Sequence, residues 1–191
     1  ADTGVEFPQV YEHIERVERV IGRKITRLKG DQTWDDIFFH RRTRGDYIGE
    51  IVSFPLIARC EMNKFLKARP INKYYKTLKG PFTAYVGIAR NESARYERLK
   101  DNERAPLYVW GIDEKFVIEE LKRRGLHNPL YDVFSRQGCF MCPQMGIKGA
   151  RKLRRYYPEL WAQLMWYGEQ AELNAKNRRR AEWRPGWTVK E

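Results

Sequence analysis

The sequence predicts an α/β domain with a largely parallel sheet, because stretches of helical periodicity alternate with short apolar runs. Its 191 residues, 42% of them hydrophobic, are enough for one domain with its own core. A first apolar stripe predicts a helix over residues 8–21 and consists of Val10, Ile14, Val17 and Ile21. Proline at position 8 and glycine at position 22 suit the first turn and the end of that helix.

Three segments follow this helix. Residues 25–28 predict a short strand, and the turn at residues 2–4 is expected at the end of a preceding strand, where α/β sheets bind ligands. Residues 30–55 are polar and irregular, which predicts a long functional or mobile loop. A helix then begins near Glu61, and Pro70 ends or kinks it before residues 71–78 resume it.

The second half of the chain predicts two more strands and two more helices. Residues 84–88 are typical of a buried strand, and residues 107–110 of a further strand or extended segment. Asp113 caps a helix that stops at Gly125, and a last long helix begins at Pro158. We therefore predict one domain over residues 1–147 and a basic helical extension over residues 148–191.

The net charge of +12 favours anionic partners. Residues 148–191 contain eleven Lys or Arg and five Glu, a net charge of +6. Nucleotides, sulfated or phosphorylated substrates, DNA and tRNA are therefore candidate partners, and a solvated basic face is the alternative. No apolar run is long enough to span a bilayer and no signal peptide is recognisable, so we expect a cytoplasmic protein without membrane contact.

The chain has three cysteines, Cys60, Cys139 and Cys142, and an odd number in a reducing compartment argues against structural disulfides. Cys139 and Cys142 form a C-x-x-C that suits a metal or cluster, a redox pair, or two buried small side chains. Cys60 precedes a helix, whose dipole would stabilise a thiolate. If all three converge, they leave one coordination position open; zinc with His127 as fourth ligand is the competing site.

Three further segments are candidates for anion contact. Asp2, Thr3 and Gly4 combine a carboxylate, a hydroxyl and a flexible turn. Two cations flank a polar turn after a predicted strand, in the set Arg90, Glu92, Ser93 and Arg95; a surface ion-pair network is the alternative. Arg136, just before the C-x-x-C, is the third.

These motifs, in this order, resemble the phosphoadenosine phosphosulfate (PAPS) reductase family of the adenine nucleotide alpha-hydrolase-like superfamily, and in particular its phage and prokaryotic branch with a C-x-x-C. The resemblance covers residues 1 to about 165 and rests on Asp2-Thr-Gly-Val-Glu-Phe-Pro8, Arg59-Cys60, Leu66-Lys67, Arg69-Pro70-Ile71, Gly87-Ile-Ala-Arg-Asn-Glu-Ser93, Pro106-Leu107, Trp110-Gly-Ile-Asp113, Asn128-Pro-Leu-Tyr-Asp132 and Arg136-Gln-Gly-Cys-Phe-Met-Cys-Pro143.

The resemblance implies a Rossmann-like parallel sheet that binds an adenine nucleotide, ATP or PAPS, at its strand ends. Asp2, Thr3 and Gly4 would lie in the nucleotide loop, and Glu92, Ser93 and Arg95 would face the phosphate or sulfate. It also implies that Cys60, Cys139 and Cys142 hold an iron–sulfur cluster of the [4Fe-4S] type.

The sequence departs from this family in three ways. The first strand and its glycine-rich phosphate loop are absent, so we expect a fragment, a loop supplied by another chain, or lost nucleotide turnover. Ala89 stands where an arginine is common, with Arg90 beside it. The C-terminal catalytic cysteine of thioredoxin-dependent reductases is also missing, which favours a relative that handles sulfur differently.

Two functions follow as hypotheses. The first is an oxidoreductase or sulfur transferase that carries out sulfonucleotide reduction or nucleotide-dependent sulfur transfer at the cluster. The second is a non-catalytic remnant of the fold that binds nucleic acid through its basic C-terminal segment and has a structural zinc site. The sequence leaves a homodimer open.

Overall fold

The computed structural model describes residues 1–55, 60–135 and 138–190. Within these ranges the chain is mixed α/β, with many helices and two short strands, β1 (Ala84–Tyr85) and β2 (Glu103–Arg104). A π-helical segment spans Lys64–Ala68, and a 3₁₀ turn spans Pro143–Met145. The α-helices are α1 (Pro8–Ile21), α2 (Trp34–Phe38), α3 (Glu61–Asn63), α4 (Arg69–Tyr75), α5 (Ser93–Tyr96), α6 (Pro106–Val109), α7 (Glu114–Arg123), α8 (Leu130–Val133), α9 (Gly146–Tyr156), α10 (Pro158–Asn174) and α11 (Arg178–Ala181).

Helix α1 confirms the first predicted element, and it ends at Gly22 in the left-handed conformation with a φ of 64°. The strand predicted at residues 25–28 is wrong. The buried carboxylate of Glu18 accepts hydrogen bonds from the Ile25 N–H and the Lys24 ammonium, both at 2.9 Å. This segment is therefore held against α1, and its one strand-like contact is an isolated parallel bridge between Asp2 and Lys29.

Residues 30–55 contribute to the core and contain a helix, so they are not the irregular, mobile loop that the sequence predicted, and a functional role for them stays a prediction. Helix α2 begins within them, at a capping box in which Thr33 and Asp36 satisfy each other's backbone N–H groups. Buried apolar residues follow along the segment: Trp34, Ile37, Phe38, Ile51 and Phe54. An antiparallel bridge between Arg41 and Ile51 closes the turn between them.

The helix predicted from Glu61 is present, and it continues through Pro70 to Tyr75. Pro70 has no N–H to donate to the preceding turn, which would normally break an α-helix. Here the turn before it is the π-helical segment, in which the N–H of Arg69 donates to the carbonyl of Lys64. Pro70 then occupies the first turn of α4, where its missing N–H costs little.

The described residues form a sheet of two parallel strands, with Ala84 opposite Glu103 and Tyr85 opposite Arg104. Helix α5 lies in the connection between them. The strand predicted at residues 84–88 is thus shorter than expected, and it is not buried, because Tyr85 is 75% exposed. Residues 107–110 are wrongly predicted as extended: Pro106 begins helix α6 there.

The two late helices that the sequence predicts are confirmed as α7 and α10. Asp113 caps α7 by accepting a hydrogen bond from the Phe116 N–H at 2.8 Å. Helix α9 was not predicted, because its many cations conceal an apolar face made of Gly149, Ala150 and Leu153. This face places α9 against the core directly after the C-x-x-C.

The main core consists of residues from α2, from α3 and the π-helical segment that follows it, from α9 and α10, and from the loops that contain Val5 and Phe140. Residues from both sides of position 147 belong to it, including Leu153, Leu164 and Trp183. The described helices include none with the length and apolar character that crossing a membrane requires.

A substitution at Gly168 tests how the C-terminal segment that contains Val189 packs on α10. A Cβ at this position would lie 2.8 Å from the Cβ of Val189, closer than two non-bonded carbon atoms normally approach. Gly168→Ala should therefore lower the free energy of unfolding by about 1–3 kcal/mol, the usual effect of overpacking.

The control is the same substitution in a Val189→Gly background, which removes the Cβ of residue 189 together with its methyl groups. There the collision is gone, and alanine is preferred over glycine in a helix by about 1 kcal/mol, so Gly168→Ala should become neutral or stabilising. Urea denaturation of the four proteins measures this. Equal effects of Gly168→Ala in both backgrounds would contradict the packing of Val189 on α10.

Candidate functional site

The C-x-x-C lies in a tight turn that two buried side chains anchor. Phe140 and Met141, between the cysteines, are 3% and 1% exposed, whereas Cys139 and Cys142 are partly exposed. The N–H of Cys142 donates to the carbonyl of Cys139 at 3.0 Å, which closes the turn. Burial of the two intervening residues thus holds both cysteines on the same side of the core surface.

The turn at residues 2–4 is directly connected to the cysteine turn. The N–H of Phe140 donates to the carbonyl of Val5 at 3.0 Å. The rings of Phe7 and Phe140 also contact each other edge to face, with centroids 6.2 Å apart. The Asp2–Gly4 turn and the C-x-x-C, which are far apart in sequence, therefore form one surface.

Cys60 joins this surface from a third segment. It is the N-cap of α3, and its sulfur accepts a hydrogen bond from the Asn63 N–H at 3.3 Å. Cys60 and Cys142 are close enough that charge on Cys142 raises the pKa of the Cys60 thiol, and the Cys139 thiol is hydrogen-bonded to Cys142. Cys142 therefore lies near both of the other cysteines, and the expectation that all three hold one centre stays a prediction.

An ion pair that the sequence analysis did not single out lies beside the cysteines. Lys67 Nζ is 3.1 Å from Glu6 Oε1, and the same oxygen accepts a hydrogen bond from the Thr3 hydroxyl at 2.9 Å. The Glu6 charge raises the pKa of Cys139, and the Lys67 charge lowers the pKa of Cys139 and Cys60. Glu6 belongs to the same short motif as Asp2 and Thr3, which was the available signal.

Without a bound metal ion, the thiols of Cys139 and Cys60 favour their protonated form, because the pKa of each is raised. The pKa of Cys139 is raised by its hydrogen bond with Cys142 and by burial. Burial raises the pKa of Cys60, although backbone N–H groups and Lys67 oppose this effect. A bound cation would reverse the balance, because metals bind thiolates and displace their protons.

The sulfurs are neighbours but are not arranged as a finished metal cage. Across the described ranges, no three His, Cys, Asp or Glu side chains stand in positions that would hold a metal ion as they lie. His127, the predicted fourth zinc ligand, instead places its Nε2 2.9 Å from a carboxylate oxygen of Asp132. Metal binding at the three cysteines would therefore require deprotonation and a rearrangement of their side chains.

Asp2 is engaged within its own turn. One of its oxygens accepts hydrogen bonds from the Gly4 N–H at 2.9 Å and the Tyr11 hydroxyl at 2.7 Å. Its other oxygen is 3.7 Å from Lys29 Nζ. Burial acts to raise the pKa of Asp2, but these partners outweigh it and lower the pKa below its usual value. The φ of Gly4, 78°, is the left-handed conformation that this turn requires.

Two cavities open beside the turn. One of about 270 Å³ is lined by residues that include Asp2, Glu6, Tyr11, Lys67 and Gly138. The other, of about 360 Å³, is lined by residues that include Thr3, Gly4, Lys29, Trp34 and Met141. Both are of the size that small ligands occupy, and each includes a lysine that could contact an anion.

The C-terminal segment fastens the cysteine turn from outside. The indole N–H of Trp183 donates to the carbonyl of Met141, and the Arg184 guanidinium donates to the carbonyl of Pro143, both at 2.9 Å. Trp183 is 3% exposed. The sequence analysis did not assign these residues to the site, because nothing in the local pattern indicates where a C-terminal segment folds back.

The structure does not show the Arg90–Arg95 segment joining the cysteine surface. Glu92 bonds Arg95 and accepts from the Ala89 N–H at 3.1 Å, and the Arg90 guanidinium lies over the Tyr108 ring at 4.7 Å. Ser93 begins α5. The expectation that these residues face a phosphate or sulfate stays a prediction, and Arg136 lies outside the described residues.

Comparison with known proteins gives relatives without a stated activity. No protein-family model and no solved structure matches the chain. Two proteins of Methanocaldococcus jannaschii are similar: the uncharacterized protein MJ0066 is 29% identical over 172 residues, and the uncharacterized protein MJ0973 is 25% identical over 174 residues. Each alignment covers 84% of this chain but 33% and 38% of the two relatives. The chain thus spans about a third of the length of the curated relatives it matches.

The hydrogen bond from Tyr11 to Asp2 gives a pH-dependent prediction. Tyr11→Phe should raise the pKa of Asp2 and lower the free energy of unfolding by about 1 kcal/mol at neutral pH. Because the pKa of Asp2 is lowered in the folded state, its stabilisation is present above the unfolded-state pKa of about 3.9 and is lost as pH falls through the folded value. The difference between the two proteins should therefore shrink below about pH 4.

Denaturation at several pH values measures this, and Tyr156→Phe is the matched control because Tyr156 is exposed and its ring contact with Arg155 does not need the hydroxyl. A loss in Tyr11→Phe that is independent of pH would contradict the role of the Asp2 charge.

Proposed function

We propose that this chain is the thiolate-bearing part of a PAPS reductase-family protein that binds an adenine nucleotide, ATP or PAPS, and reduces a sulfonucleotide or transfers sulfur at an iron–sulfur site. The observation that carries this proposal is that Cys142 influences both Cys60 and Cys139, in a turn that is hydrogen-bonded to the segment after Asp2–Gly4. The parallel pair of β1 and β2, with a helix in the connection, supports the finer proposal of a Rossmann-like sheet.

The donor set fits a centre that prefers sulfur ligands. Three cysteine sulfurs suit an iron–sulfur cluster with one iron open to an exogenous ligand, and they equally suit zinc with a fourth ligand from outside. Such a cluster, when bound, supplies a site that carries sulfide or polarises a sulfur-containing substrate. Cys60, Cys139 and Cys142 would hold it.

The chain's own residues have supporting roles in this proposal. The N–H groups at the start of α3 stabilise negative charge on Cys60. Lys67 offsets the charge that three thiolates would bring, while Glu6 orients Lys67 and Thr3. Lys29 and Lys67 line the two cavities beside the turn, where they would attract the phosphates of a nucleotide. A partner chain or segment would supply the glycine-rich phosphate loop.

The cysteines give the first test of this proposal. Alanine at Cys139 or Cys142 should abolish iron and acid-labile sulfide binding in anaerobically purified protein, and alanine at Cys60 should lower the content or stability of the centre. Metal analysis and visible absorbance measure this, and Ser135→Ala, an exposed neighbour of the turn, is the control. Full iron content in both C-x-x-C variants would show that the cysteine turn is not the ligand.

A second candidate function, nucleic-acid binding with a structural zinc at the cysteines, is favoured by helix α9. It begins four residues after Cys142 and includes five cations and no acidic residue: Lys148, Arg151, Lys152, Arg154 and Arg155. Lys152 donates to the carbonyl of Val133, and among the described residues the other four have no acidic partner at ion-pair distance. Tyr156, 52% exposed, adds an aromatic ring on which a base could stack.

This candidate predicts a steep salt dependence. Each lysine or arginine that contacts a phosphate contributes about −0.7 to the slope of log affinity against log salt for a single strand. The triple variant Lys148→Gln/Arg151→Gln/Arg155→Gln should therefore reduce the slope by up to about 2 and weaken binding of a short fluorescent oligonucleotide.

Fluorescence anisotropy over a salt series measures this effect. The control is Lys79→Gln/Lys115→Gln/Lys122→Gln, which removes the same charge from exposed positions outside α9. Equal losses in the two triple variants would mean that only net charge matters, and the proposal that α9 is the binding element would be wrong.

A further inference from the structure

A cavity of about 420 Å³ lies between segments that are distant in sequence, and its lining includes Glu61, the residue that follows Cys60. Its walls come from the turn around residues 40–54, from the first turns of the helix that begins at Glu61, and from α11. The apolar part of the lining includes Ile37, Val52, Phe54 and Phe65. Two guanidinium groups, those of Arg42 and Arg180, line the same cavity.

Three guanidinium nitrogen atoms of these two arginines lack the hydrogen bonds that buried nitrogen atoms of this kind normally make. Arg42 Nε and Arg180 Nε and Nη2 are buried and have no hydrogen-bond partner. The only carboxylate beside Arg180 in the described structure is that of Glu50, at 3.6 Å, beyond hydrogen-bond distance. Buried donors without a partner are costly, and in native proteins they usually indicate a bound water, ion or ligand.

The two arginines lie close to each other and to two carboxylates. Burial and the Arg180 charge lower the pKa of Arg42 and outweigh the charges of Glu50 and Glu61, which raise it. The unpartnered guanidinium N–H groups, rather than an excess of positive charge, are what an anion would satisfy. Glu61, an acidic residue in the lining, is 3.6 Å from Lys64 Nζ, so its charge is partly offset. The Arg180 guanidinium also lies over the Tyr47 ring at 4.7 Å, which orients it.

We propose that this cavity is a binding site for a small organic anion, with a carboxylate or phosphate group held by Arg42 and Arg180 and an aromatic or aliphatic body packed between Val52, Phe54 and Phe65. Guanidinium groups pair with planar carboxylates and with phosphates through parallel hydrogen bonds. The apolar walls exclude water and would bury the body of the ligand. This site does not depend on the metal proposal, because none of its residues is a cysteine.

Phenyl phosphate and benzoate are suitable probes, because they share an aromatic body and differ in the anionic group. Isothermal titration calorimetry should show saturable binding of at least one of them with one site per chain, and the preferred probe identifies the anionic group. Inorganic phosphate, which has no body to pack, should bind at least about tenfold more weakly, the effect of roughly 1.4 kcal/mol.

Variants separate the site from general attraction to a basic protein. Arg42→Gln should weaken binding of the preferred probe at least tenfold, and Arg44→Gln, an exposed arginine of the same turn that does not line the cavity, should leave it unchanged. Because Arg180→Gln alone would leave Glu50 buried and unpaired, Arg180→Gln/Glu50→Gln removes both charges together. It should keep the fold, as circular dichroism and the unfolding midpoint report, and lose binding.

Three outcomes would overturn the proposal. If neither probe binds saturably, the cavity holds water only. If Arg42→Gln and Arg44→Gln have equal effects, the attraction comes from net charge and not from this cavity. Binding of inorganic phosphate as tight as that of phenyl phosphate would refute the role of the apolar walls and, with it, the proposed ligand class.

Discussion

The hydrogen bond from the Phe140 N–H to the Val5 carbonyl joins the two ends of the candidate site, and the arrangement of the remaining residues depends on it. It holds because Phe140 and Met141 are buried and therefore fix the backbone between the cysteines. Buried backbone groups must be paired, so the extended segment after Gly4 is kept beside the turn. The Trp183 indole then pairs the Met141 carbonyl from the opposite side. The positions of Cys139 and Cys142 thus follow from core packing and not from contacts of the sulfurs themselves.

This arrangement explains how three isolated thiols become one candidate site. Cys60 is positioned independently, as the N-cap of α3, and Met62 and Leu66 fix that helix in the same core. Glu6 follows Val5 in the segment beside the cysteine turn, and Lys67 lies in the π-helical segment after α3. Their ion pair therefore crosses the site, and each charge offsets the other. Without a bound metal, the Cys60 and Cys139 thiols resist deprotonation, because burial and the neighbouring Cys142 raise the pKa of each. A metal ion that binds thiolates would therefore favour the deprotonated form of these cysteines.

The sequence predicted the long helices α1, α7 and α10 well and the short strands poorly. Helices α1, α7 and α10 have end signals such as Gly22 and Asp113, whose effects are local and independent of tertiary contacts. Residues 25–28 are apolar enough for a strand, but the buried Glu18 binds them, a contact that no local pattern shows. The proximity of Cys139 and Cys142 follows from their spacing in the sequence. The Glu6–Lys67 ion pair, the contact of Trp183 and the Arg42–Arg180 cavity were not predicted, because each depends on segments that meet only in the folded chain.

We propose that Cys60, Cys139 and Cys142 together bind one sulfur-preferring centre. The most direct measurement is the iron, acid-labile sulfide and zinc content of anaerobically purified wild-type protein. About four irons and four sulfides per chain would agree with a cluster held by three cysteines. About one zinc without sulfide would keep a thiolate site but reject the sulfur chemistry. Protein that binds neither metal, while its three thiols react freely with a thiol reagent, would contradict the claim.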